Sequence, residues 1–399
     1  MDRRDFLRGT AAAGGVALAG CLEQLGFEER SAWANPPLVE DRPDAVYLPA
    51  GSEEMGIYGA AASGDWAMEV SYTIPHRFWI PGGGGSMVDV DTDDSLHLMF
   101  TVWDRETDLL LPTDLRLEIL QDGTPIDGVG SSPWPMLSQR MGFHYGDNVP
   151  LPDEGAYTAR VSVGPVDADL TGALAGRLDS TVTLEVDFEY AESQIHDLEI
   201  DLIDEDDRGT PDALPLMDHG DHDDHGDHDD HDDHGDHGDH GDHDSDHDHD
   251  DHDDHDHDHG DHEIGPAPTS RGPPVEDIDG DLLGTEQSAD ADISAIVTDE
   301  ERFTDADRYL AVCPRTPYND VILPFTSLSV TVDHDSGEQT ETRLQETIDD
   351  EFGHHYGAGL DGLDAGDELT VSIETPPQLS RHDGYETAFF DFEDVTFTR

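Results

Sequence analysis

The stretch from His219 to His262 contains no aliphatic side chain; it is built from His, Asp and Gly with one Ser. Such a segment cannot bury enough apolar surface to offset the entropy of ordering its backbone, and it is expected to be disordered. It therefore divides the chain, because anything that folds must do so before it or after it. Its flanks are acidic on one side and carry Gly265-Pro266-Ala267-Pro268 and Gly272-Pro273-Pro274 on the other, which extends the expected linker over residues 193–292.

Both remaining parts alternate apolar and polar residues with the period of a strand. Before the linker these runs include Leu96 to Val102, Leu115 to Leu120, Tyr157 to Val163 and Val182 to Phe188, separated by turns such as Asp122-Gly123. After it come Tyr309 to Val312, Leu328 to Val332, Leu369 to Ile373 and Val395 to Phe397. Several short strands at this spacing predict an all-β chain of two antiparallel sandwiches, over residues 44–192 and 293–399. The two also resemble each other. Gly142-Phe143-His144-Tyr145-Gly146 precedes a Gly-containing loop, a strand and Pro165; Gly353-His354-His355-Tyr356-Gly357 precedes a Gly-containing loop, a strand and Pro376-Pro377. The shared order points to a diverged internal duplication.

The formal charge is -76, from 95 acidic residues against 19 basic ones, and every basic residue is Arg. This balance repels nucleic acid and anionic surfaces, so no nucleic-acid partner is expected. Acid spread over the folded parts, with Lys absent, fits a halophilic protein that must stay hydrated in concentrated salt. The first 21 residues carry Arg3-Arg4, Phe6-Leu7, a short apolar run and Leu18-Ala19-Gly20-Cys21. That run is too short to span a bilayer. It resembles a twin-arginine export signal ending in a lipobox, which places the mature protein outside the cytoplasmic membrane with Cys21 as its lipid anchor and residues 22–43 as a tether. Cys313 then has no partner for an intrachain disulfide.

Metal chemistry has two candidate locations. The tract supplies His219, His222, His225, His228, His231, His234, His237, His240, His243, His247, His249, His252, His255, His257, His259 and His262. Neutral imidazoles beside carboxylates take up divalent transition metals, zinc and nickel among them, but a chain without preset geometry selects poorly. A selective site needs donors from separate strands. Here Pro135-Met136, then His144-Tyr145-Gly146-Asp147-Asn148-Val149, then the Glu154-Gly155 turn and strand, resemble the periplasmic ferrous-iron transport (high-affinity Fe2+ uptake) family, in a haloarchaeal-type lipoprotein form. The resemblance implies an immunoglobulin-like sandwich, a dimer, and iron or copper bound through Met, His and carboxylate. Met136 and His144 match that family's Met and His ligands, and Glu69 matches its Glu, while Ala67 stands where a His is expected. A further His, in Arg381-His382-Asp383, occurs only in the second part. The split implies an internal pseudo-dimer with Met136, His144 and Glu69 from one half and His355 or His382 from the other. His76 and His97 are further candidates, but the expectation for both is an ordinary surface or core histidine; the spacing of Met55, Met68, Met87 and Met99 singles out none of them.

No nucleophile elbow, HExxH, CxxC or P-loop pattern occurs, and a blue-copper site is poorly served because no Met follows Met217 and Cys313 lies far from Met136. The expectation is a non-enzymatic metal-binding protein of iron uptake, possessing a membrane permease as partner. The alternatives are a metal-dependent redox enzyme acting on iron and an envelope protein that buffers zinc, nickel or copper.

Overall fold

The computed structural model describes residues 36–82, 85–217, 264–334 and 336–399. The export segment with Cys21 and the histidine tract lie outside the described residues. Before the tract the strands are β1 (Gly51–Glu53), β2 (Gly56–Ser63), β3 (Trp66–Thr73), β4 (Phe78–Ile80), β5 (Ser86–Val88), β6 (Leu96–Asp104), β7 (Leu115–Gln121), β8 (Thr124–Pro125), β9 (Trp134–Ser138), β10 (Gly142–Val149), β11 (Gly155–Val163), β12 (Asp169–Leu170), β13 (Val182–Tyr190) and β14 (Ile200–Leu202), with a short helix α1 (Glu192–Asp197). After it come β15 (Asp281–Ser288), β16 (Ala291–Thr298), β17 (Arg308–Arg315), β18 (Ser327–Asp333), β19 (Gln339–Asp349), β20 (Gly353–Leu360), β21 (Glu368–Thr375), β22 (Ser380–Arg381) and β23 (Val395–Thr398). The chain is all-β, as its alternation predicts, and its sheets form sandwiches.

In the first half a sheet ordered β2-β3-β6-β10-β9-β22-β4-β5 faces a smaller one ordered β13-β11-β7-β8. The second half repeats both orders. β15-β16-β17-β20-β19 corresponds to β2-β3-β6-β10-β9, and β23-β21-β18-β19 to β13-β11-β7-β8. β19 serves both layers because it bends: Gln345 to Asp349 pair with β20, and Gln339 to Leu344 pair with β18. Each half also lends a strand to the other. β22 runs parallel to β9, pairing Ser380 with Met136 and Arg381 with Leu137. β12 runs parallel to β19, pairing Asp169 with Thr347 and Leu170 with Ile348.

β11 and β13 alternate in burial, one face on the core and one toward water. β6 is buried at every position, which simple alternation does not anticipate. Successive side chains of a strand point to opposite faces, so Leu96, Leu98, Phe100 and Val102 share the face packed on the sandwich core, and His97, Met99 and Thr101 share the back. The second half and the segments flanking the tract cover that back. One such contact is the Phe143 amide donating to Ser270 Oγ at 2.9 Å.

The expected linker is shorter than residues 193–292. α1 occupies its start, β14 pairs with β1, and β15 begins at Asp281. β15 was hidden because it is an edge strand, exposed or half-buried at all but its last residue, and so carries little alternation. The tether is also shorter than 22–43, since Arg77 Nη2 donates to the Pro36 carbonyl at 2.6 Å and Arg42 pairs with Glu386 at 2.9 Å.

Candidate metal centre

The His-Tyr-Gly triplet divides its work by strand periodicity. On β10, Tyr145 points into the core, where its hydroxyl accepts from the Thr113 amide and donates to the Thr113 carbonyl, both at 2.6 Å. His144 and Gly146 face the back of the sheet. His144 lies directly opposite Met136 on β9, and the pair meets His97 from β6 because Gly146 leaves room. A Cβ at Gly146 would sit 2.7 Å from His97 Nε2 and 3.1 Å from Met136 Sδ.

The second half supplies the remaining ring. Arg381, fully buried, anchors β22 by donating to the carbonyls of Leu379 and Phe389 at 3.0 Å and stacking 3.9 Å above the Phe390 ring. His382, immediately after it, donates its amide to the Leu137 carbonyl at 3.1 Å. Its Nε2 then lies 3.4 Å from Met136 Sδ and its Nδ1 3.0 Å from His76 Nε2. His76, His97 and His382 offer nitrogens that all lie within 4.8 Å of one another, and the His144 and His382 ring centroids are 5.3 Å apart.

Each neighbouring ring is oriented from behind. His76 Nδ1 lies 2.9 Å from the Ile74 carbonyl, His97 Nδ1 2.9 Å from Asn148 Oδ1, and His144 Nδ1 3.0 Å from the Gly142 carbonyl. Asn148 is itself held by donating to the His76 carbonyl at 2.9 Å. Acceptors at Nδ1 place the ring proton there and leave Nε2 as a lone pair, the arrangement typical of metal-ligating histidine. His382 is thereby put in a bind. If its Nδ1 donates to His76 Nε2, its Nε2 lone pair faces a thioether that can only accept; if Nε2 carries the proton, Nδ1 and His76 Nε2 present lone pairs to each other. Protonation does not resolve this. Burial pulls His97 and His382 well below the ordinary imidazole range, and repulsion among the rings adds to it. His76 is lowered by burial as well, with the Ile74 carbonyl and Asp383 opposing. His97 Nε2 is buried with no hydrogen-bond partner among the described residues. A neutral set of inward lone pairs around a thioether, mutually repulsive, fits a cation.

The structure thus brings Met136, His144 and His382 together and adds His76 and His97, whose role their spacing did not reveal. Two expected donors are elsewhere. Glu69 shares the back face, but Thr73 is the residue of β3 paired with His97, and Glu69 lies four residues further along, about 13 Å of strand; its Oε2 accepts from the Ala267 amide at 3.4 Å. His355 occupies the place in β20 that His144 has in β10, and there it is a core residue. Its Nδ1 lies 3.0 Å from the Gly353 carbonyl and its Nε2 3.2 Å from the Tyr309 hydroxyl, whose oxygen also lies 3.3 Å from Thr347 Oγ1. Register explains the difference: Thr347 pairs with His355 as Met136 pairs with His144, and Tyr309 stands where β6 has His97. The sixteen tract histidines lie outside the described residues.

A family model described as "Domain of unknown function (DUF7350)" matches residues 276–398. No curated protein matches. Among solved structures, the chain is similar to the copper-reconstituted P19 protein of Campylobacter jejuni (21% identity, TM-score 0.25, 30% of this chain and 92% of that one). It is also similar to FetP of uropathogenic Escherichia coli strain F11 as isolated (19%, 0.24, 29% and 91%) and to a copper-bound variant of that FetP (20%, 0.26, 30% and 94%). At these scores the likenesses carry no weight for function, which rests on the geometry above.

Proposed function

We propose that this chain is an exported, lipid-anchored, non-enzymatic protein of metal uptake that holds one transition-metal ion between its two halves. The observation carrying the reading is the buried convergence of Met136 Sδ with the rings of His76, His97, His144 and His382. With Glu69 outside the set, one thioether among imidazoles favours copper(I) over iron, the metal that the family resemblance alone had put first. Duplication and the pseudo-dimer belong to the same reading. They are supported by the repeated strand order, by the reciprocal straps β22 and β12, and by Tyr356, whose hydroxyl accepts from the Thr326 amide at 3.0 Å as Tyr145 does from Thr113. In this reading the second half gives His382 to the site and keeps none of its own.

The test is metal-dependent thermal stabilisation of the full chain, compared with Met136→Leu, His144→Ala and His382→Ala. Copper(I) is expected to raise Tm in the parent and lose most of that effect in each variant. A parent whose Tm responds to none of copper(I), iron(II), zinc(II) or nickel(II) would leave the sandwiches a purely structural role.

A further inference from the structure

The chain has eight methionines. Met1 lies outside the described residues, Met68 is part of the sandwich core, Met87 is 48% exposed, and Met136 belongs to the metal centre. The other four come from distant places in the sequence and meet. Met55, Met99 and Met141 form a buried contact cluster with Met217 packed against it, and among the described residues no other hydrophobic side chain belongs to it. All four line the same pocket as His76, His144 and His382.

A cluster that only filled space would be expected to contain Leu, Ile, Val or Phe, whose rotamers are better defined and which form the core elsewhere in this chain. In the second half the corresponding back face is filled without any Met, by Ile278, Ile296, Tyr309, Ala311, Cys313 and Phe352. Position by position, Met99 stands where the second half has Ala311. Met99 is also two residues from His97 on the same face of β6, about 7 Å along the strand, and pairs with Gly146, over which His97 and Met136 converge. Met217 is tied in place by its amide, which donates to the Arg140 carbonyl at 2.8 Å, at the last described residue before the histidine tract.

We propose that Met55, Met99, Met141 and Met217 form a second site, made of thioethers only, that binds a soft monovalent cation, copper(I) or its surrogate silver(I), in the approach to the histidine centre. Thioethers are neutral and soft, so they suit copper(I) or silver(I) better than iron(II), and imidazole also accepts copper. Passage inward is ligand exchange, with no change of oxidation state. The inference deepens the reading above by giving the centre its route of supply.

The experiment uses the full chain labelled with 13C at the methionine methyls and titrated with silver(I), resonances being assigned by single Met→Leu variants. The methyls of Met55, Met99, Met141 and Met217 are expected to shift together with the stoichiometry of one ion, in the parent and in His382→Ala alike, with Met68 unmoved. The volume-conserving double variant Met99→Leu/Met141→Leu keeps the packing; in it Met55 and Met217 are expected to respond about 10-fold more weakly or worse, while Met136 still responds. Cluster methyls that stay unmoved while Met136 shifts, or a double variant in which Met55 and Met217 respond as before, would overturn the thioether site and leave the histidine centre standing. A silent Met136 beside a responding cluster would instead remove the histidine centre.

Discussion

Gly146→Ala separates the metal centre from the fold that carries it. The backbone at Gly146 is not in the left-handed region, so a strand residue with a Cβ is conformationally acceptable there. What the new methyl meets is the site: His97 Nε2 at 2.7 Å and Met136 Sδ at 3.1 Å, both closer than ordinary contact. Relief requires the ring and the thioether to move apart by several tenths of an ångström, and these are the two donors that one ion must join. Displacing them is expected to cost about 100-fold in affinity, the upper part of the range seen when the orientation of a metal ligand is disturbed. Metal at 1,000 times the parent dissociation constant stabilises the fold by about 4.1 kcal/mol, and after a 100-fold loss the same concentration gives about 1.4 kcal/mol. Denaturant unfolding with and without copper(I) under reducing conditions measures both. Ions on the histidine tract, which on sequence grounds needs no fold to bind, add equally to folded and unfolded chains and drop out of the difference. Full metal-dependent stabilisation in Gly146→Ala would refute the convergence of His97 and Met136 on one ion.

Three further outcomes follow from the same geometry. Tyr309→Phe removes the hydroxyl shared by His355 and Thr347, leaving a buried ring nitrogen without its partner; a loss of about 1–3 kcal/mol is expected in denaturant unfolding, with metal stoichiometry unchanged. Burial lowers His355 to about 4 from an ordinary value near 6.5, so the unfolded chain takes up a proton before the folded one and stability falls as pH drops across that window. The parent minus His355→Gln difference should carry about 3 kcal/mol of that fall, and a difference independent of pH from 7 to 4 would show the ring to be solvated. Arg177→Ala removes the 2.8 Å partner of the fully buried Asp104 carboxylate, although Thr107 still donates to it; about 3 kcal/mol of destabilisation is expected, and less than 1 kcal/mol would show that Thr107 and water suffice.

How much was legible in the amino-acid sequence depended on the range of the interaction. Strands such as β11 and β13 announce themselves because one face is wet, and the residues deciding burial are two positions apart. β6 was legible as a strand, but its back face was not, since what covers His97, Met99 and Thr101 arrives from residues far along the chain. Met136 and His144 could be singled out because a short contiguous run carries both and resembles the ferrous-iron transport motif. His382 was reachable only through the family resemblance, whose further His this chain carries in its second part, within Arg381-His382-Asp383. His76 and His97 carried no local mark of their task, and the four methionines of the pocket had no usable spacing because they come from four different segments. The sharpest case is the His-Tyr-Gly triplet itself. His144 and His355 share the same two following residues and the same bond to the carbonyl two positions back, yet one faces a thioether and a bare imidazole and the other a hydroxyl pair. Two substitutions on neighbouring strands, His97 against Tyr309 and Met136 against Thr347, separate a cluster of ring nitrogens around a thioether from a closed hydrogen-bonded core, and pairing across strands is the one relation that a motif read along a single chain does not contain.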